Sequence, residues 1–352
     1  MMVFGVDPHK QSHTAAAADE LGRRQAHKTV KARQEGCREL IAWARDLAPD
    51  GRRWAVEDVR HVASGLVREL LAAGEEVVFV PTRLMAGTRS GGRERGKSDP
   101  IDALANARAA LREDVFLPAA RLNGQVLDVR RLADHRDDLV AQRTAMINRL
   151  RWLVHDLDPA LAPAPRTLSR TRKARRQLEA GLRALPAGAG RRIALSLLAA
   201  VTALTEEIAS LEEDLSALVT RLCPELLTIC GISVITAARI LGETGDIRRF
   251  RSPAAYARHN GTAPIPASSG TRDVHRLNRG GNRQVNAALH RAALTQARCH
   301  HGAKALLERR AATIRETRKA ALRVLKRHLS DVVYRALLTD AWRLDQPDQQ
   351  AA

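Results

Sequence analysis

Two short apolar runs that each end on an acid set the tightest limit on the fold of this chain. Residues 2–6, Met-Val-Phe-Gly-Val, lead into Asp7 and are stopped by Pro8; Arg53-Trp-Ala-Val leads into Glu57. Apolar runs of this length, bounded by turn formers, read as buried strands. Between them, Ser12–Ala17 and Arg24–Val30 have strand length and are separated by the turn-like Asp19-Glu20-Leu21-Gly22. A helix is predicted over 34–47, with Leu40, Ile41, Trp43, Ala44 and Leu47 forming its apolar face. Gly65–Ala73 reads as a second helix and Glu76–Val80 as a further strand, closed by Pro81. Three strands, then helix, strand, helix, strand and helix predict an α/β domain with a mixed sheet. Catalytic groups of open α/β sheets collect at the carboxyl ends of strands, which is where Asp7 and Glu57 fall.

Two more acids follow in Lys97-Ser98-Asp99-Pro100-Ile101-Asp102. Pro suits the first turn of a helix, and a spacing of three puts both carboxylates on one helix face. The same pattern is that of an N-cap, with Asp99 as the cap and Asp102 as its partner in the first turn. If Asp7, Glu57, Asp99 and Asp102 converge, they form an oxygen-rich site of the kind Mg²⁺ prefers. Just upstream, the glycine-rich loop 87–97 carries Arg89, Arg93, Arg95 and Lys97 and is suited to wrapping a phosphate backbone.

The net charge decides the partner class. The chain has 352 residues, enough for about two domains, a formal charge of +19 and a pI near 11.0. That balance points to nucleic acid, bound mainly through phosphate and weakened by salt. Aromatic residues make up only 3%, which argues against base stacking as the main mode. The cysteines Cys37, Cys223, Cys230 and Cys299 form no C-x-x-C pair. Cys299-His300-His301 has no second ligand pair at zinc-finger spacing, so these residues read as thiols of a reducing compartment. No leader is expected and no stretch is read as a membrane span, so the expected location is the cytoplasm.

The second half is helical. Leu132, Leu139, Met146 and Leu153 recur every seven residues along a helix over 125–155, and 166–192 reads as an Arg-rich connector. Leu197, Val201, Leu204, Ile208, Leu211, Leu215, Leu218 and Leu222 then form an unbroken a/d seam, read as a coiled coil and preferentially as a subunit interface. Residues 226–242 have helix, glycine turn and helix character, with Gly231 placed to offer backbone N–H groups to phosphate. Beyond 256–266, which has little periodicity, Ser268-Ser269-Gly270 precedes Arg272, His275, Arg276, Arg279, Asn282 and Arg283. A serine in that setting is a candidate nucleophile beside cations that favour both its alkoxide and a phosphate. The basic helical remainder, 284–345, is expected to add phosphate contacts.

Taken together, these pieces resemble the DEDD transposases of the IS110 insertion sequences, relatives of the Piv-type DNA invertases. The resemblance runs nearly end to end. It rests on Gly-Val-Asp7, Val-Glu57 and Lys-Ser-Asp99-Pro-Ile-Asp102-Ala, followed by Gly231-Ile-Ser, Ala255-Tyr256-Ala257, Gly261-Thr-Ala-Pro264, Ser-Ser269-Gly and Arg279-Gly-Gly-Asn-Arg283. It implies a RuvC-like (RNase H-like) domain over 1–120, a helical coiled-coil region with its connector over 121–222, a mostly α transposase domain with a helix-hairpin-helix-like element over 223–345, and a tail over 346–352. It also implies Mg²⁺ on the four acids, Ser269 as nucleophile because it precedes the glycine, DNA ends and target as substrates, and a structured bridge RNA as guide. A homo-oligomer, dimer or tetramer, follows from the seam. The chain keeps the acid but departs from the family after it: where members often read Glu-x-Thr-Gly, it has Glu57-Asp58-Val59-Arg60-His61. Two alternatives stand beside the transposase reading: a metal-dependent Holliday-junction-type endonuclease using water, and a non-catalytic nucleic-acid-binding protein.

Overall fold

The computed structural model describes all residues except 82–83, 85–97, 114–116, 121–123, 165, 267–274, 277, 279, 315–316 and 346–352. The chain divides into two compact units. The first comprises Met1–Leu127 and Gly245–Arg283, and the second Asp128–Thr244 and Gln284–Ala352. These units cut across the sequence segment 223–345.

The first unit is built on a five-stranded sheet. Its strands are β1 (Met2–Pro8), β2 (Ser12–Ala18), β3 (Arg24–Lys31), β4 (Arg52–Glu57) and β5 (Val77–Val80), in the order β3-β2-β1-β4-β5. β1, β2 and β3 form an antiparallel meander, while β4 and β5 run parallel to β1. This is the mixed sheet expected from the sequence. Helices α1 (Gln34–Leu47) and α2 (Arg60–Ala72) cover one face, and α3 (Asp99–Glu113) covers the other.

Side-chain alternation along β1 sorts the two faces. Phe4 and Val6 join Trp54 and Val56 of β4 under Leu40, Ile41, Leu66 and Leu70, with the Phe4 and Trp54 ring centroids 5.1 Å apart. Val3 and Ala55 face Ala103, Ala107 and Ala110 of α3. Gly5 lies on this second face and lets the helix come very close. A Cβ there would stand 2.0 Å from the Ala103 carbonyl oxygen and 2.3 Å from the Ala107 nitrogen. Asn106 then ties the helix to the strand, its buried Nδ2 donating to the Val6 carbonyl at 2.8 Å. At the amino ends of β4 and β5, the buried Glu75 carboxylate accepts from Arg52 Nε (2.7 Å), Arg52 Nη2 (2.8 Å), Arg45 Nε (3.1 Å) and Trp54 Nε1 (3.1 Å).

The other segment of this unit contains α10 (Pro253–His259), which runs into the stretch 256–266 read from the sequence as having little periodicity. Ser252 caps it, with Oγ accepting from the Ala255 N–H, and Tyr256 is fully buried against Phe250. Strands β6 (Ile265–Pro266) and β7 (His275–Arg276) pair antiparallel.

The second unit is helical. It contains α4 (Gln125–Leu157, entered at Asp128), α5 (Thr167–Arg170), α6 (Arg172–Ala184), α7 (Ala189–Leu222), α8 (Pro224–Thr228) and α9 (Val234–Thr244), then α11 (Arg283–Cys299), α12 (His301–Ile314) and α13 (Arg318–Asp345). The Arg-rich connector is thus largely helix. Its Arg175 is buried and donates to the Leu168 carbonyl at 2.9 Å. The predicted seam is sorted within the chain. Ile208 and Leu211 of α7 pack with Leu139 of α4, and Arg136 donates to Glu212 across the pair at 2.6 and 2.9 Å. Nearer its start, Ala194 and Leu198 join Leu150, Val154, Leu178 and Leu182. The a positions Val201, Ile208, Leu215 and Leu222 are buried, whereas Leu197, Leu204 and Leu218 are half-buried. Within the chain the stripe finds apolar partners on α4 through Leu204, Ile208 and Leu211.

The expectation that no stretch approaches a membrane span also needs correcting. By length and composition α7 qualifies, with a mean hydropathy of 1.5 over its best window. The cause is the Ala- and Leu-rich run before Glu206, part of which packs on neighbouring helices of the same unit.

Candidate metal centre

The register of the parallel strands positions the acids. Val6 is opposite Val56, so Asp7 and Glu57 fall at one level at the carboxyl edge, on the face shared by Gly5, Ala55 and α3. Both are buried, at 5% and 6% exposure, and so is Asp102 at 4%. The close seating of α3 over Gly5 carries Asp102, the residue before Ala103, to the same edge of β1. The helix cap is Ser98, whose carbonyl accepts from the N–H groups of Ile101 and Asp102 at 3.0 Å. Asp99 is the first helical residue and not the cap, which leaves its carboxylate available to other partners.

Asp99 meets Asp7 through a residue that the sequence reading missed. His9 Nε2 lies 3.2 Å from Asp7 Oδ2 and 3.4 Å from Asp99 Oδ1. Asp7, His9 and Asp99 each offer a ligand atom within 4.8 Å of the others, the one such group among the described residues. Asp102 and Glu57 lie outside this tight trio. Nothing in Asp7-Pro8-His9 singles the histidine out, since it follows the end of β1 at Pro8.

The electrostatics match a cation site. Burial pushes the Asp7 carboxyl above the usual carboxylate range; His9 pulls it back, and Asp102 and Asp99 push it further up. Like charges gathered at a buried acid are the arrangement that a bound cation relieves. The carboxylate oxygens suit a hard divalent cation, and the imidazole adds a donor favoured by transition metals. Nearby, His13 is buried, and its imidazole is held below the usual histidine range by burial and by His9.

The remaining candidates divide in two. Ser269, Arg89, Arg93, Arg95, Lys97, Arg272 and Arg279 lie outside the described residues. β6 and β7 bracket 267–274 in sequence, and both belong to the first unit together with the four acids. Beyond β7, Asn282 N–H donates to the His259 carbonyl at 2.6 Å and Asn278 Nδ2 to the Arg258 carbonyl at 3.2 Å. Gly281 is required there, since a Cβ would stand 2.2 Å from the Gly261 backbone. The motifs Gly261-Thr-Ala-Pro264 and Gly280-Gly281-Asn282 are therefore two sides of one contact. His275 lies in β7, and Arg276 and Arg283 are exposed. In the second unit, Gly231 has φ +85° and packs on Ala292 and Thr295 of α11, which accounts for the glycine at the turn between α8 and α9.

Residues 4–159 match the profile of a DEDD transposase family, and residues 223–308 match that of the transposase IS116/IS110/IS902 family. The 44.8 kDa protein of insertion element IS116 from Streptomyces clavuligerus is 28% identical over 78% of this chain and 79% of its own length. The 42 kDa protein of IS900 from Mycobacterium paratuberculosis is 26% identical over 96% and 95%. The transposase of IS1111A from Coxiella burnetii is 30% identical over 60% and 55%. Among solved structures, Thermus thermophilus RuvC with a Holliday junction substrate aligns over 34% of this chain and 99% of its own, at 16% identity and a TM-score of 0.27, a likeness too slight to build on. The two family profiles together span more than two thirds of the sequence, and the chain belongs to the IS110 family of insertion-sequence transposases.

Proposed function

We propose that this transposase cuts and rejoins DNA at a composite site, in which Asp7, Glu57, Asp99 and Asp102, with His9, hold Mg²⁺ and Ser269 is the nucleophile. The observation that carries the reading is the gathering of Asp7, His9 and Asp99 within 4.8 Å at the carboxyl edge of the sheet. Mg²⁺ bound there supplies Lewis-acid stabilisation of charge on the phosphoryl and leaving oxygens. The chain's own groups do the rest. Buried Asp7, Glu57 and Asp102 fix the site, while the more exposed Asp99 and His9 close it on the solvent side. Ser269 Oγ forms a bond to phosphorus as the phosphorus–oxygen bond to the departing strand breaks, and the sugar hydroxyl leaves with a proton. A hydroxyl of the incoming strand then attacks the phosphoserine and restores the serine. Each bond broken is replaced, so no nucleotide hydrolysis is needed.

Arg89, Arg93, Arg95, Lys97, Arg272, His275, Arg276, Arg279, Asn282 and Arg283 are the proposed backbone contacts, with a further phosphate contact at the Gly231 turn. A charge of +19 with few aromatics suits a protein that reads backbone shape. Sequence choice then falls to a structured bridge RNA by base pairing. The protein works in the cytoplasm as a dimer or tetramer, with 1–120 as the metal-binding segment and 223–345 as the segment that bears the serine. Replacing Ser269 with Ala tests the chemistry. A denaturation-resistant protein–DNA adduct, trapped on a suicide substrate, should disappear along with strand joining. Persistent metal-dependent hydrolytic cutting by S269A would instead assign the attack to water.

A further inference from the structure

Outside the metal centre, the second unit brings together two thiols that the transposition chemistry does not use. Cys230 Sγ and Cys299 Sγ lie 3.6 Å apart, though 69 residues separate them in sequence. Cys299 is exposed at the end of α11, and Cys230 is half-buried in the turn before α9. The backbone around the pair is firmly held: Gln296 Nε2 donates to the Cys230 carbonyl at 2.8 Å, and the adjoining Gly231 packs against Ala292. Cys299 Sγ also lies 3.2 Å from the Thr295 carbonyl. The other two cysteines, Cys37 and Cys223, are buried, and burial pushes the Cys223 thiol up to about 12. The pair can therefore reach an oxidant, whereas the other two are shielded from one.

We propose that Cys230 and Cys299 form a reversible disulfide when the protein meets a small-molecule disulfide, joining the turn before α9 to the end of α11. A disulfide needs its sulfurs about 2.05 Å apart. Rotation of the exposed Cys299 side chain away from the Thr295 carbonyl is the movement that closes the gap. The exchange balances. The Cys299 thiolate attacks one sulfur of the oxidant, whose S–S bond breaks to release a first thiol. The Cys230 thiolate then attacks the Cys299 sulfur and displaces the second thiol, so two protein thiols are oxidised and one small disulfide is reduced. In a reducing compartment such a bond is transient and responds to redox stress. Between these cysteines the chain leaves the second unit after Thr244 and returns at Gln284. The bond would thus fasten together the two stretches of the second unit that flank 245–283.

The full-length protein incubated with glutathione disulfide, alkylated, digested and mapped by mass spectrometry tests this. The expected result is one linked peptide containing Cys230 and Cys299, a fall from four free thiols to two, and full reversal by dithiothreitol. The thermal midpoint should rise by several degrees on oxidation, and C299S and C230A should each abolish both the link and the rise. A stable glutathione adduct on Cys299 with no resolution by Cys230 would overturn the proposal. So would a link between two chains, or unchanged thiols. Because these readouts are structural and S269A should give them unchanged, the idea can fail independently of the serine mechanism.

Discussion

At the amino ends of β4 and β5, the buried carboxylate of Glu75 accepts from two arginines and a tryptophan. At the carboxyl ends of β1 and β4, the buried carboxylate of Asp7 faces a half-exposed histidine and two further acids. The two acids share one sheet and similar burial, yet they titrate in opposite directions. Burial pushes Glu75 up, but its hydrogen bonds with Arg52, Trp54 and Arg45 more than reverse this, leaving it below the usual range. Asp7 stays above that range, because His9 does not offset burial and the neighbouring acids. One end of the sheet is neutralised by the fold itself, whereas at the other the neighbouring side chains do not offset the burial of the acid.

Substituting each acid by its neutral isostere should therefore break the fold at one end and the chemistry at the other. Asp7→Asn should lower recombination in a two-plasmid assay by about a thousandfold or more, since metal-assisted charge stabilisation is worth several kcal/mol. Its thermal midpoint in metal-free buffer should hold or rise, and a marked fall would erase the contrast with Glu75. Glu75→Gln should cost about 3 kcal/mol in urea unfolding, because it leaves Arg52 and Arg45 without their charged partner. Below its lowered melting point this variant should still recombine DNA.

Gly5→Ala should cost about 2 kcal/mol by forcing α3 off β1. It should also weaken Mn²⁺ binding in calorimetry, because Asp99 and Asp102 move with the helix. A Gly5→Ala protein with unchanged metal affinity would show that the helix seating does not set the site. His9→Ala should weaken Mn²⁺ binding by about tenfold without loss of stability. The smallest effect concerns pH. A carboxyl held below its ordinary range contributes stability that is complete above its unfolded-state value and is lost as pH falls through its folded value. Acid unfolding of the wild type should therefore include a step from Glu75 that the Glu75→Gln variant lacks.

The placement of the acids was legible where it depends on local pattern. Apolar runs that stop on Asp7 and Glu57 announce strand ends, and Pro100 marks the helix that carries Asp99 and Asp102. His9 was not legible, because a histidine after a proline turn looks like any surface residue until α3 brings Asp99 across to it. Gly5 is a similar case: only the packed helix shows that Ala103 occupies the place of a side chain. On α7 the periodicity revealed the helix and its stripe but not the partner, since apolar teeth at positions such as Ile208 fit a helix of the same chain or of another equally well. The return of 245–283 to the first unit left no trace in composition, because it depends on contacts between residues far apart in sequence.

That return has a consequence for how the protein is made. The four acids leave the ribosome within the first 102 residues, but their compact unit includes Gly245–Arg283. Contacts over such sequence separation close late. A nascent or prematurely terminated chain that stops before Gly245 carries all four acids and still lacks part of the unit to which they belong. The first unit is therefore completed only after most of the helical unit has already been translated.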